Sequence, residues 1–155
     1  MTNQPILDCH ISFIDKQSKT MAELFKSISK KIKKQGLRVG SNFAEDMEKM
    51  EKTHPSSIGS RIGVKQVYLP SLDRALCMLV RCDQKVDFNS FDNQNLDMLY
   101  IVFSPEKKGP LYLQKMAKAA RILKDDDIRL KVLGATDEDA IQSIFYNMSS
   151  EKFAA

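Results

Sequence analysis

Asp97-Met98-Leu99-Tyr100-Ile101-Val102-Phe103-Ser104 is the stretch on which the reading of the fold turns. Its apolar core is nearly continuous and stops at Pro105. A strand with one wet face alternates apolar and polar residues; an unbroken short apolar run reads as a strand buried on both faces. Such a strand needs cover above and below. The run therefore predicts a central sheet covered by helices.

Working outward, the segments on either side supply that cover. After Pro105, Leu111–Leu123 takes up helical period through Leu113, Met116, Ala117, Ala120 and Leu123. Asp125–Leu133 reads as a short amphipathic helix. Thr136, Asp137, Glu138 and Asp139 form an acidic start for a last helix carrying Ile141, Ile144 and Phe145. The tail from Ser149 to Ala155 is expected to fray.

Before the central run, Ile62–Tyr68 and Ala75–Arg81 read as strands, while Val86-Asp87-Phe88 is short and ambiguous. Further upstream, Ser41 is placed to cap a helix with Phe43, Met47 and Met50 on its buried side. That helix gives way to the loop Thr53-His54-Pro55-Ser56-Ser57-Ile58-Gly59, too rich in Pro, Ser and Gly for regular structure. Met21, Leu24, Phe25, Ile28 and Ile32 mark the first helix, with Thr20 and Glu23 in capping-box spacing and Gly36 as a stop. Ile11–Ile14 is a candidate edge strand. With no repeat, linker or low-complexity segment, residues 1–155 form a single α/β domain whose core spans about 11–147.

The chain has 155 residues, 43% apolar and 28% charged, an ordinary globular composition able to bury roughly two thirds of its unfolded surface. No apolar run approaches eighteen residues, and the N-terminus lacks the pattern of a signal peptide, so a cytoplasmic location is expected. Cys9, Cys77 and Cys82 are odd in number and lack CxxC spacing. With only His10 and His54 besides, neither a disulfide framework nor a metal site is expected, and no cofactor is implied. The net charge of +4 is concentrated at Lys26, Lys30, Lys31, Lys33, Lys34 and Arg38. Without interleaved aromatics this cluster does not read as a nucleic-acid site; it reads as a solvated helix face, with peripheral membrane contact at most.

The order of short motifs carries more. Met50-Glu51-Lys52, Pro55-Ser56-Ser57-Ile58-Gly59, then Ile62-Gly63-Val64-Lys65-Gln66 and Leu69-Pro70-Ser71-Leu72 follow one another. Val86-Asp87-Phe88, Asp92-Asn93-Gln94, Leu96-Asp97, Ser104-Pro105-Glu106 and Tyr112-Leu113 come after, with Ser18-Lys19 near the start. In order and spacing, from Ile11 to about Phe145, the chain resembles the enzyme IIA domain of phosphotransferase systems (type 2), the fructose, mannitol and nitrogen-regulatory kind. The resemblance implies a mixed central sheet with helices on both faces. It also implies a relay in which one histidine receives phosphate from a small carrier protein, steadied by a second histidine and an arginine.

At all three places this chain departs from the pattern. The acceptor position reads Gln66, whose delocalised amide nitrogen is no phosphoryl nucleophile; the second-histidine position reads Tyr112, and the arginine position Met50. No catalytic residue is therefore expected, and a regulator that binds proteins without carrying phosphate is. Ser56, Ser57, Gly59, Lys65, Gln66, Tyr68 and Tyr112 are the candidate binding residues, Lys65 being read as a surface lysine at a strand end. The alternatives are a working phosphocarrier in which His54 has become the acceptor and, after it, a basic surface-binding module that uses the Lys26–Arg38 cluster. The resemblance implies a phosphocarrier protein, a transporter or a sensor kinase as the kind of partner.

Overall fold

The computed structural model describes residues 4–147. Four strands form one mixed sheet: β1 (Ile11–Asp15), β2 (Ile62–Tyr68), β3 (Leu76–Val86) and β4 (Leu96–Ser104), in the order β1-β3-β4-β2. β1 runs parallel to β3, β2 runs parallel to β4, and the central pair β3–β4 is antiparallel. β1 and β2 are thus the two edges.

Every residue of β4 is buried, as its unbroken apolar run requires. Its side chains divide by parity. Met98, Tyr100 and Val102 enter one core with residues of helices α3 (Pro110–Leu123), α4 (Asp126–Gly134) and α5 (Glu138–Asn147). Leu99, Ile101 and Phe103 enter the other, against α1 (Met21–Lys34) and α2 (Phe43–Thr53). The expected single α/β domain with helices on both faces of a mixed sheet is what forms.

Local chemistry sets the helix ends. Thr20 Oγ1 accepts from the Glu23 amide at 3.2 Å, the N-cap expected for α1, and donates its proton to the Glu23 carboxylate at 3.1 Å. Gly36 follows the helix at φ +88°, a conformation that only glycine adopts without strain. Asp125 caps α4 through the Ile128 amide, 3.1 Å, and Asp137 caps α5 through the Ala140 amide, 2.8 Å. Two boundaries differ from expectation. The residue that caps α2 is Asn42, not Ser41, and no side-chain bond supports it. β3 runs on past Arg81 to Val86 through a register irregularity that puts Lys85 at φ +55°. The polar residues Asp83, Gln84 and Lys85 are exposed along this overhang, so no apolar period announces it. The expected frayed tail from Ser149 lies outside the described residues.

Candidate functional site

β2 is an edge strand, and only part of its outer edge is covered. The loop after α2 turns back antiparallel to it: the Val64 amide donates to the Ser56 carbonyl at 2.9 Å, and the Ile58 amide to the Ile62 carbonyl at 2.9 Å. On the other side Leu69 donates to Ser104 of β4. Backbone groups alternate along a strand, so those of Gln66 and Tyr68 face away from β4, on the side where this pairing ends. It ends because Pro55 has no amide proton and α2 ends just upstream, at Thr53. The space left is a cleft of about 630 Å³. Met50, Thr53, His54 and Pro55 line one side, Val64, Lys65, Gln66 and Tyr68 form the floor, and Lys107, Leu113 and Met116 close the other side.

The turn at the base of this loop owes its shape to Gly59, at φ +89°, whose missing Cβ would stand 3.7 Å from the Phe91 ring. Ser60 and Arg61 follow at positive φ as well. At the same end, Arg129 of α4 binds the Ser60 carbonyl at 2.7 Å and the Asp97 carboxylate, locking the loop to the start of β4. Burial pushes the Asp97 carboxyl above its ordinary pKa although Arg129 opposes this.

Lys65 is not the surface lysine expected. Its side chain is 3% exposed and its ammonium sits 2.7 Å from Glu51 Oε1 of α2. The same carboxylate accepts from the Ser56 amide at 3.0 Å and from the Ser56 hydroxyl. Lys65 and Ser56 are thereby spent on holding β2, its loop and α2 together. Ser57 Oγ is buried and meets no partner among the described residues. Ser56, Ser57 and Gly59 shape the wall of the cleft from behind; none of them lines it.

Gln66 does line it. Its Nε2 donates to Ser104 Oγ at 3.0 Å and to the Lys107 carbonyl at 3.4 Å. Ser104 Oγ donates onward to the Glu106 carbonyl at 2.7 Å, so the segment after β4 clasps the amide. Tyr68 stands beside it, partly exposed, with Lys107 Nζ 5.4 Å from its ring centroid. His54 ends α2 on the near wall, its Nδ1 3.0 Å from Thr53 Oγ1. Met50 lines the same wall.

Tyr112 is placed elsewhere. It is 6% exposed and packs into the core on the α3 side, its ring 3.2 Å from where a Cβ on Gly109 would lie. The residues that α3 turns to the cleft are Leu113, 65% exposed, and Met116. Sequence reasoning put both of these in the core stripe and passed over Lys107 and Thr53. A residue-type signal did exist for Lys107, which directly follows the strand-ending Ser104-Pro105-Glu106. Nothing in the period of α3 separates a core leucine from one at the rim.

Away from the cleft, the basic cluster forms the outer face of α1: Lys26, Lys30, Lys33 and Lys34 are exposed, and Lys31 pairs with Glu138 at 2.8 Å. The three cysteines are free and buried, the Cys9 thiol being pushed up to about 12 by burial. Among the described residues no helix is long and apolar enough to cross a membrane, and no cluster of His, Cys, Asp and Glu is arranged to hold a metal.

Residues 5–148 match the family described as "Phosphoenolpyruvate-dependent sugar phosphotransferase system, EIIA 2". A nitrogen regulatory protein of Bradyrhizobium diazoefficiens is 32% identical over 94 residues, 61% of each chain. A nitrogen regulatory protein homolog of Haemophilus influenzae is 25% identical over 126 residues, 79% of this chain and 77% of that one. In fold, the crystal structure of the nitrogen regulatory protein IIA-Ntr from Neisseria meningitidis superimposes with a TM-score of 0.71 at 17% identity, covering 88% of this chain and 92% of the other.

Proposed function

Since the chain belongs to the EIIA 2 family of the phosphoenolpyruvate-dependent sugar phosphotransferase system, we propose that it is a regulator of the nitrogen-regulatory type that acts by binding a protein partner and carries no phosphoryl group itself. The likeness to nitrogen regulatory proteins supports the subtype. One observation carries the rest: the residue at the acceptor position, Gln66, is an amide bound on its nitrogen to Ser104 and to the Lys107 carbonyl. Its nitrogen lone pair is delocalised into the carbonyl, and both its protons are engaged. A phosphoryl acceptor needs a free basic lone pair.

The surroundings fit a binding role. Leu113, Met116, Met50 and the Tyr68 ring offer apolar contact around one fixed polar group, the usual make-up of a recognition site. Phosphorylation would add about −1.5 to −2 charges at neutral pH. An amide at that place holds the site in the uncharged state, so a partner meets one form only.

A second reading rests on His54. Thr53 Oγ1 also lies 3.3 Å from the Met50 carbonyl, to which it donates. It can then accept from His54 Nδ1–H, which leaves Nε2 with the lone pair. An imidazole in that tautomer on the wall of the cleft is a chemically competent acceptor.

Intact mass after incubation with phosphoenolpyruvate, enzyme I and a carrier protein separates the two. An unchanged mass, with a histidine-bearing relative phosphorylated alongside, is expected. One added phosphoryl group, acid-labile and lost in His54→Ala, would establish the second reading instead.

A further inference from the structure

The two edges of the sheet are finished differently. Along β1, side chains of α5 close the outer row of backbone groups. The Ile14 amide donates to Glu138 Oε2 at 2.9 Å, and Gln142 Nε2 donates to the Cys9 and His10 carbonyls at 2.9 and 3.1 Å. Such cover keeps a sheet edge from recruiting another strand. Along β2 the cover stops halfway. The loop after α2 pairs with Ile62 and Val64, and no hydrogen bond among the described residues reaches the backbone amide or carbonyl of Gln66 or Tyr68. The Gln66 side chain is tied back to Ser104 and the Lys107 carbonyl, so it does not cap its own edge.

What remains is a row of two donors and two acceptors in strand spacing, open to the cleft of about 630 Å³. Another extended backbone matches that row group for group. An added strand also turns alternate side chains to opposite faces of the sheet. Met50 lines the cleft on the α2 side, and Leu113, Met116 and Lys107 line it on the α3 side.

Charge narrows the occupant. No carboxylate is among the described residues lining the cleft. Lys65 has its counterion in Glu51, whereas Lys107 is exposed and no carboxylate among the described residues pairs with it. The unmatched charge is positive, so it favours a carboxylate on the incoming segment and opposes a lysine or arginine. A second copy of this chain fits poorly by the same count. Two-fold pairing of β2 with β2 would bring Lys107 to a surface carrying the same charge.

We propose that the open edge of β2 at Gln66 and Tyr68 docks an extended acidic segment of a partner protein, which joins the sheet as a fifth strand. Its apolar side chains lie against Met50 on one face and against Leu113 with Met116 on the other, and one of its carboxylates meets Lys107. The inference rests on the protein-binding reading above and adds the form in which the partner is held.

The test is selection of random seven-residue peptides, displayed on phage, against the full chain, followed by NMR titration with those enriched. Enriched peptides are expected to carry Asp or Glu among β-branched and aromatic residues and to lack Pro. In the complexes the Gln66 and Tyr68 amides should exchange with solvent about tenfold more slowly or better. N-methylation of the peptide backbone at alternate positions should abolish binding. Tyr68→Pro removes an outward amide at the end of the strand, where proline leaves the ladder to β4 intact. Against Tyr68→Ala, which keeps that amide, affinity should fall about tenfold, the effect of one lost backbone bond. Lys107→Glu changes an exposed side chain, so it keeps the test usable if the proline variant folds poorly; it should weaken the same peptides about fivefold.

Enrichment of basic peptides, or of none, would overturn the inference, as would binding that leaves the two amides unprotected. Protection of the same amides in the protein alone as its concentration rises would assign the edge to a second copy and overturn it too. The mass experiment judges the reading beneath separately: an unchanged mass with no enriched peptide leaves the regulator in place and removes only the added strand.

Discussion

Lys65 Nζ lies 2.7 Å from Glu51 Oε1, and the two side chains are only 3% and 5% exposed. This pair ties the residue next to Gln66 to the helix that carries Met50 and His54, and so sets the width of the cleft. Ser56 completes the arrangement by donating to the same carboxylate from both its amide and its hydroxyl.

A buried pair of this kind is costly to break from one side. Lys65→Met leaves the Glu51 carboxylate charged and without its cation, which should lower unfolding free energy by about 3–5 kcal/mol. Adding Glu51→Gln to that variant removes the orphaned charge and should recover part of the loss. Urea unfolding of the two single variants and the double variant measures this, and additive losses would contradict the pairing.

α3 offers a contrast between neighbours. Tyr112 is core, so Tyr112→Ala should cost about 3–5 kcal/mol in stability, as large-to-small core substitutions do. Leu113 is 65% exposed on the cleft rim. Leu113→Asp should change stability by no more than about 0.5 kcal/mol yet weaken partner binding. Thermal melts and titrations on the two variants check both halves; a Leu113→Asp protein that binds normally would remove the cleft from the interface.

Restoring the nucleophile alone should not restore the relay. Gln66→His supplies an imidazole, but Met50 offers no charge to the transferring phosphoryl group. The variant should accept phosphate at a rate about a hundredfold or more below that of a histidine-bearing relative, the usual effect of one missing stabilising donor. Time-resolved intact mass would show it, and full-speed phosphorylation would mean that Lys107 suffices.

His10 should give the fold a dependence on pH. Burial holds the imidazole below its ordinary pKa of 6.5 against the pull of Asp8, with Lys115 and Arg74 nearby acting in the same sense as burial. Its Nδ1 accepts from the Cys77 amide at 2.9 Å, a bond that needs the unprotonated nitrogen. The folded state binds this proton less readily than the unfolded chain. The stability His10 contributes is therefore present above 6.5 and is lost as pH falls through its depressed folded value. His10→Asn keeps an acceptor without a titration, so its unfolding free energy should vary less over that range. Identical pH profiles for the two proteins would refute the assignment.

Much of this could be read from residue types alone. The apolar run 97–104 announced a strand covered on both faces, and its parity does divide the molecule into two cores. Thr20 with Glu23, and Gly36, bounded α1 because caps and stops are local chemistry. The cleft was less legible. Lys65 was assigned an environment by type, Leu113 by period and Tyr112 by the resemblance, and the structure places each of them differently. A lysine is expected outside, and only the approach of Glu51 from another element makes burial tolerable. Tyr112 and Leu113 are adjacent in sequence, and which of them α3 buries depends on how the helix is rotated against the sheet.

Sequence by itself determined the family, the two-sided cover of the sheet, and the amide chemistry of Gln66, the residue proposed to stand at the acceptor position. These rest on apolar runs, local capping and the chemistry of single side chains, none of which requires a distant partner. Only the tertiary structure decided which way that amide faces. Its orientation follows from Ser104, Glu106 and Lys107 meeting β2 from the far end of β4. A hydrogen bond between groups so distant along the chain exists only once the sheet has brought its strands together.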